Sequence, residues 1–89
     1  MVNENESLLL RKALTPLEYI NEKTPVSATY LAKMTGLSYA HLCNLLKTFK
    51  DINLIKVLPK GRRLDVYLTK RGILAKSHYL ELRAILLYN

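Results

Sequence analysis

Four basic residues are clustered in one short segment of the sequence. Lys56, Lys60, Arg62 and Arg63 lie within eight residues of one another, with Asp65 as their acidic neighbour. Side chains at this charge density attract the phosphate groups of a polyanion. A charged hairpin tip also keeps an exposed strand edge soluble, but that role alone does not account for four cations against one anion.

Residues 38–47 carry a second group of side chains, of the types that recognise nucleic-acid bases. Asn44 has an amide that pairs with adenine through two hydrogen bonds, and Lys47 reaches either guanine or a phosphate. Ser38 and Tyr39, at the start of this segment, suit phosphate contacts through their hydroxyl and backbone N–H groups. The candidate contact residues of the two segments are Ser38, Tyr39, Ala40, His41, Cys43, Asn44, Lys47, Lys60, Arg62 and Arg63.

His41 and Cys43 leave more than one role open. The histidine faces either a nucleic acid or the preceding helix. The cysteine contacts a thymine methyl group, is a redox-sensitive thiol or is a passive small side chain; we favour the last, because no neighbouring residue activates the thiol. Two residues apart on one helix, these side chains do not face each other, and with His78 they form no nucleophile–base set. We therefore expect a protein that is not an enzyme.

The positive charge of the chain is concentrated in its middle. Fourteen basic against seven acidic residues give a formal net charge of +7. Residues 1–30 hold three basic and four acidic residues, whereas residues 31–76 hold ten basic and two acidic ones. A localised positive field attracts a polyanion and speeds its encounter, and nucleic acid is the polyanion that this pattern favours.

Other features of the sequence exclude several classes of protein. With 89 residues the chain forms one domain, whose core is small enough that a partner chain would help to stabilise it. One cysteine and two histidines provide neither a disulfide nor a zinc cluster, and three isolated glycines make no phosphate-binding loop. We therefore expect neither a metal nor a cofactor.

Membrane association is not expected either. No apolar stretch approaches the roughly 20 residues of a membrane span, and no segment combines a basic face with a large exposed apolar face. The first six residues are acidic and polar, unlike a secretory leader. We expect a cytoplasmic protein without a membrane partner.

Two helices joined by a short turn are predicted to position the base-reading residues. The first runs from an N-cap at Ser27 to a left-handed Gly36. The second runs over residues 39–51, with Ser38 as its N-cap. Its apolar side chains recur three and four residues apart, as on the buried face of an amphipathic helix: Leu42, Leu46 and Phe49.

After residue 53 the hydrophobic period changes from that of a helix to that of a strand. Residues 54–58 and 63–68 are predicted strands, joined by a turn over residues 59–62. Thr69 then caps a last helix that runs from Lys70 to about Tyr88. This helix is more apolar than the surface helix of a monomer requires, because it carries Leu74, Leu80, Leu82, Ile85, Leu86 and Leu87.

The N-terminal residues 7–23 are predicted to be helical, in one of two ways. Thr15-Pro16-Leu17-Glu18 has the pattern of a capping box with proline at the first helical position. That pattern predicts a new helix to about Lys23. The alternative is one continuous helix kinked at Pro16. We favour two separate pieces.

The order of these elements resembles a winged helix-turn-helix domain. Its motifs are Val26-Ser27-x-x-x-Leu31-Ala32-x-x-x-Gly36-Leu37-Ser38, then Phe49-x-x-x-x-Leu54-Ile55, then Tyr67-x-Thr69-x-x-Gly72. Ala13-Leu14-Thr15-Pro16-Leu17-Glu18-Tyr19 is similar to the first helix of the MarR family. The resemblance covers residues 13–76 and is closest to the compact regulators of archaea and archaeal viruses. The chain departs from the family at Asn53, where glycine is frequent, and at Cys43 and Leu45, which make the outer face of the third helix less polar.

The resemblance implies a sequence-specific regulator of transcription that binds double-stranded DNA as a homodimer. A recognition helix over 39–51 would enter the major groove, and a basic wing over 56–63 would lie on the backbone or in the minor groove, with Arg62 as the best candidate for the latter. Arg63 would contact a phosphate or pair with Asp65. The alternative is a winged helix that binds another protein, and we assign no small-molecule effector.

The predicted fold is therefore mainly α-helical with a small β-hairpin, and the terminal helices form a dimer interface. One domain over residues 1–89 divides into an N-terminal helical region, a helix-turn-helix, a wing and a dimerisation helix, over residues 7–23, 27–51, 54–68 and 69–88. The expected location is the cytoplasm, or that of the host if the protein is viral.

Overall fold

The computed structural model describes the backbone of residues 14–88 and the side chains of residues 14–85. A short 3₁₀ helix and three α-helices flank a small antiparallel sheet, which confirms the predicted winged helix-turn-helix architecture. Residues 7–13 of the predicted N-terminal helix lie outside the described part. In chain order the elements are the 3₁₀ helix Thr15–Tyr19, β1 Val26–Ser27, α1 Ala28–Thr35, α2 Tyr39–Asp51, β2 Ile55–Lys60, β3 Arg63–Leu68 and α3 Lys70–Tyr88.

The helix ends of the helix-turn-helix are set by local chemistry, as predicted. Ser27 Oγ accepts a hydrogen bond from the N–H of Tyr30 at 3.1 Å, and Ser38 Oγ accepts one from the N–H of His41 at 3.1 Å. Each serine thereby satisfies one of the free N–H groups at a helix start. Gly36 ends α1 with φ +74°, a conformation that costs glycine little.

The sheet has one strand more than the sequence predicted. Its order is β1-β3-β2, all antiparallel, with Val26 opposite Val66 in the additional pair. A segment of two residues is too short to show the alternating pattern of a strand in the sequence. Strand β1 is therefore recognised only by its pairing with β3. The hairpin also differs from the prediction, because β2 continues through Pro59 to Lys60. Proline is tolerated there because β2 is an edge strand.

The turn of the hairpin is therefore only two residues long, Gly61 and Arg62, between the paired ends Lys60 and Arg63. Gly61 has φ +64°. A glycine at the first central position is typical of the type II′ turn, whose twist matches that of the flanking strands. The predicted four-residue turn was wrong, because the two-residue glycine turn lets the pairing of β2 with β3 extend to Lys60 and Arg63.

The helical part of the N-terminal segment is shorter than predicted. The 3₁₀ helix ends at Tyr19, and Ile20 is extended with φ −104° and ψ 138°. The carboxylate of Glu18 pairs with Arg83 of α3 rather than with the start of its own helix. The carbonyl of Asn21 accepts from the N–H of Leu68 at 2.8 Å. Pairing with the sheet thus extends the segment that was expected to be helical up to residue 23.

One apolar cluster joins all of these elements. It includes Leu17 and Ile20 of the N-terminal segment and the predicted stripe of α2. Burying one such leucine contributes about 1.5–3 kcal/mol to folding. The buried side chains are Leu17, Ile20, Ala28, Leu31, Leu42, Leu46, Phe49, Leu54, Ile55, Val66 and Leu68.

The end of α2, the hairpin and the start of α3 meet at the carbonyl group of Leu54. This oxygen accepts the N–H of Thr69 at 3.1 Å. The hydroxyl of Thr69 donates to the carbonyl of Asn53 at 2.7 Å and accepts from the N–H of Gly72 at 3.0 Å. Asn53 has φ +64°, a left-handed conformation that asparagine adopts more readily than most residues. A Cβ atom on Gly72 would lie 1.9 Å from the Leu54 oxygen.

Gly72→Ala is therefore expected to lower the free energy of unfolding, by about 1–3 kcal/mol or more. The sign of the change in stability is the test. Inside a helix, alanine is otherwise more stable than glycine by about 1 kcal/mol. Urea unfolding measures the change. Ser77→Ala, at an exposed position of the same helix, should change stability by less than about 0.5 kcal/mol. A Gly72→Ala protein as stable as the wild type would contradict the proposed contact.

Candidate nucleic-acid interface

Helix α2 buries one face and exposes the opposite one. Successive residues of an α-helix are about 100° apart, which places Ala40, Asn44 and Lys47 in one row opposite the buried stripe. All three side chains are exposed. Within the described residues, the side-chain amide of Asn44 makes no hydrogen bond, so its donor and acceptor are available to a ligand.

A groove of about 350 Å³ lies between α2 and the hairpin. Its floor is apolar, and the amino groups of Lys47 and Lys50 stand at its α2 edge. Helix α2 and the hairpin therefore border one open surface rather than opposite sides of the molecule. The lining residues are Cys43, Leu46, Lys47, Lys50, Val57, Pro59 and Leu64.

The hairpin presents different residues on its two faces. Val57, Pro59 and Leu64 point towards α2. Because directly opposed residues of an antiparallel pair share a face and neighbours along a strand alternate, Lys60 and Arg63 point away from the groove. Arg62, in the turn itself, is exposed at the tip. The predicted hairpin contacts thus divide between the tip and the outer face.

Arg63 forms the ion pair that was one of the two roles predicted for it. Its Nε lies 2.9 Å from Oδ1 of Asp65, whose side chain is 5% exposed. The guanidinium group keeps 60% of its surface exposed, so it covers the buried carboxylate while its other nitrogens face solvent. A buried carboxylate requires such a partner.

The remaining cations of this surface are not neutralised by the described part of the chain. The ion pairs found among residues 14–85 involve Arg63, His78 and Arg83. None involves Lys47, Lys50, Lys60 or Arg62. A positive field left without internal counter-charges attracts an external anion.

Tyr39 and Cys43 interact one turn apart at the start of α2. A side-chain hydrogen bond with Cys43 raises the pKa of the Tyr39 hydroxyl, and the negative charge that Cys43 carries when ionised adds to this effect. Tyr39 is half exposed, whereas Cys43 is half buried towards the groove. Both effects favour the protonated form of the phenol.

The structure gives the positions of three further residues of α2. His41 is exposed on the flank away from the hairpin. Leu45 packs against the core, so it does not reduce the polarity of the outer face. Lys50 lines the groove but was not among the predicted site residues; its spacing of three from Lys47 and seven from Cys43 would have placed it on their side of the helix.

Helix α3 has a packed face and an exposed apolar face. Tyr79 is buried, Arg83 pairs with Glu18, and Lys76 Nζ donates to the carbonyl of Ile20 at 3.0 Å. On the opposite side Leu74 and Ile85 are 62% and 56% exposed. Leu82, three residues from Tyr79, is also exposed, and His78 contacts Glu81 at the surface. In the described residues, no helix has the length and apolarity to span a membrane.

Comparison with known proteins relates this chain to winged-helix structures. No protein-family profile and no curated protein sequence matches it. AF1382 from Archaeoglobus fulgidus is 20% identical with a TM-score of 0.77, over 85% of this chain and 88% of that chain. MepR of S. aureus, in a complex with DNA, is 18% identical with a TM-score of 0.73, over 92% of this chain and 73% of that chain.

Sso10a-2, a DNA-binding protein from Sulfolobus solfataricus, is 17% identical with a TM-score of 0.73, over 85% of this chain and 78% of that chain. In another MepR structure the chain spans 54% of the longer protein. At these identities the similarity establishes the winged-helix fold, as the sequence motifs predicted.

Ser38→Ala is expected to destabilise α2, because the hydroxyl that accepts the His41 N–H is lost. The expected loss is about 1 kcal/mol, whereas Ser38→Gly should cost only about 0.3 kcal/mol. The midpoints of urea unfolding compare the two variants at constant slope. An alanine variant as stable as the wild type would show that the cap does not act through its side-chain oxygen.

Proposed function

We propose that this protein is a regulator of transcription that binds double-stranded DNA as a homodimer. The observation that carries the proposal is the open surface shared by α2 and the hairpin, where Lys47, Lys50 and Arg62 have no acidic partner among the described residues. Duplex DNA supplies the missing negative charge at a regular spacing.

In this proposal α2 enters the major groove with its N-terminal half. Ala40 and Asn44 then face base edges, since the N-terminal residues of a recognition helix read sequence. Ser38 and Tyr39 contact a phosphate at the helix start, where free N–H groups and the helix dipole favour an anion. The protonated Tyr39 hydroxyl supplies a further donor to that phosphate.

The hairpin then reaches the adjacent minor groove. Arg62 at its tip enters that groove, because a narrow minor groove concentrates negative potential. A sugar–phosphate backbone separates the major groove from the minor groove of the DNA. In this proposal that backbone passes over the protein groove between α2 and the hairpin, where Lys47 and Lys50 contact the phosphates. Lys60 and the outer nitrogens of Arg63 face the backbone beyond the hairpin.

The related structures support this assignment at the level of the fold. MepR of S. aureus and FabT of Streptococcus pneumoniae are both known in complex with DNA. MepR is described as a transcription regulator. We extend double-stranded DNA binding to this chain because the surface shared by α2 and the hairpin is positively charged. In the proposed arrangement this is the surface that contacts the DNA.

Lys47→Ala, Lys50→Ala and Arg62→Ala should each weaken binding to every duplex. Each should also reduce the slope of log K against log salt concentration by about one, as expected for one lost phosphate contact. Lys23→Ala, which removes an exposed charge outside this surface, is the matched control and should leave the slope unchanged. Fluorescence anisotropy over a salt series measures the slopes.

An unchanged slope for all three variants would remove this surface from the mechanism. A wild-type protein that binds no duplex even at low salt would favour the alternative, a winged helix used for contact with another protein.

The dimer in this proposal is formed by the exposed apolar face of α3. Leu74 and Ile85 are exposed on the side of α3 away from Tyr79, and exposed Leu82 lies between that side and Tyr79. Exposed apolar side chains along one helix of a small domain mark an association site, and a twofold axis buries the same face on both copies. Two recognition helices then meet major grooves about 34 Å apart.

Ile85→Glu is expected to convert a dimer into a monomer, because it places a charge in the proposed interface. Deleting residues 79–89 is a less specific test, since it also removes buried Tyr79 and the Arg83–Glu18 ion pair. Leu58→Gln, at an exposed leucine of the hairpin, is the control and should not change the mass. Light scattering measures the mass; a monomeric wild type would exclude the dimer.

A further inference from the structure

The base-facing row of α2 has an unusual chemical composition for a DNA reader. The helix contains no arginine, the residue that most often reads guanine. The side chains exposed on the outer side of its first two turns are a methyl group at Ala40 and an amide at Asn44. The thiol of Cys43 lies next to them, half buried and one turn from Tyr39.

These groups match an A·T pair in the major groove. The amide of Asn44 pairs with N6 and N7 of adenine, and the methyl group of Ala40 packs against the C5-methyl group of thymine. Ala40 and Asn44 lie four residues apart in one row of the helix, so one side chain stands above the other on the same base-facing line. Cys43 adds a second apolar group beside them.

The charged residues of α2 do not offset this preference. Lys47 lies in the same row as Ala40 and Asn44 but one turn beyond Asn44, and with Lys50 it lines the edge that faces the hairpin, where the phosphate backbone passes in the proposed arrangement. Asp51, the one side chain of α2 suited to cytosine, stands at the last residue of the helix, about 16 Å along the axis from Ala40.

The hairpin tip favours the same base pairs through the other groove. Arg63 is held by Asp65, which leaves Arg62 as the arginine at the two-residue turn. An arginine enters a minor groove most readily where A·T pairs narrow it, and the N2 amino group of guanine obstructs the floor of a G·C groove.

We infer that the preferred DNA half-site is A·T-rich at two places: in the major groove beneath the first two turns of α2, and in the adjacent minor groove beneath Arg62. This inference rests on the proposed function. It specifies the DNA that the same surface selects, and it requires the major-groove and minor-groove preferences to reside in different residues.

Base analogues separate the two grooves. A 24-bp duplex of mixed A and T sequence is compared with a G·C duplex of the same purine order. An inosine·cytosine duplex has the major groove of G·C but lacks the guanine amino group in the minor groove, and a diaminopurine·thymine duplex does the reverse. We expect the A·T duplex to bind about tenfold or more tightly than the G·C duplex, with both analogue duplexes between them.

Two variants assign these differences to residues. Asn44→Ala should reduce the preference for A·T over inosine·cytosine to the contribution of Ala40, while keeping that for inosine·cytosine over G·C. Arg62→Ala should do the opposite. Replacing thymine by deoxyuridine should weaken wild-type binding, because it removes the methyl groups that Ala40 contacts. Lys23→Ala should behave as wild type throughout.

The outcomes distinguish this inference from the proposed function. Equal binding to the A·T and G·C duplexes, or tighter binding to G·C, would overturn the base preference and leave DNA binding intact. An undiminished preference for A·T over inosine·cytosine in Asn44→Ala, or for inosine·cytosine over G·C in Arg62→Ala, would overturn the assignment to these residues. Failure to bind any of the duplexes at low salt would overturn both the inference and the proposed function.

Discussion

The close approach of Gly72 to the carbonyl oxygen of Leu54 is the contact on which the proposed interface depends. Leu54 lies between α2 and the hairpin, and Gly72 lies in the first turn of α3. Because glycine has no Cβ, the start of α3 can rest directly on this backbone. The N–H of Thr69 donates to the same oxygen. A displacement at this point would move the hairpin relative to α2 and change the groove between them.

The ion pairs of the described chain strengthen this arrangement away from the shared surface. Arg83 with Glu18 joins α3 to the N-terminal segment, and Arg63 covers the buried Asp65 within β3. On the shared surface, Lys47 and Lys50 stand one turn apart, an arrangement that costs a helix a few tenths of a kcal/mol, on the order of 0.2–0.5. A bound polyanion would offset this repulsion, because its negative charges attract both lysines. The distribution of charge therefore separates residues that hold the fold together from residues that are available to a ligand.

Local signals explain which elements were predictable. The bounds of α2 follow from a serine cap and an amphipathic stripe, and those of α1 from a serine cap and a terminal glycine. The capping-box pattern before Glu18 was equally clear, yet the helix ends at Tyr19. There the local preference is weaker than two long-range interactions, the pairing of Glu18 with Arg83 and the hydrogen bond from Leu68 to Asn21. The two-residue strand β1 has no periodicity of its own and depends on β3.

By itself, the sequence determined the order of the elements, the buried stripe of α2, the basic hairpin and the residue types that suit base recognition, because each of these depends on neighbours within about one helical turn. The tertiary structure alone decided that Lys47 and Lys50 face the hairpin, that Lys60 and Arg63 face away from the groove, that the carboxylate of Asp65 is buried, and that Leu74 and Ile85 stay exposed. These properties depend on the angle between elements far apart in the chain, and packing around the shared core sets that angle.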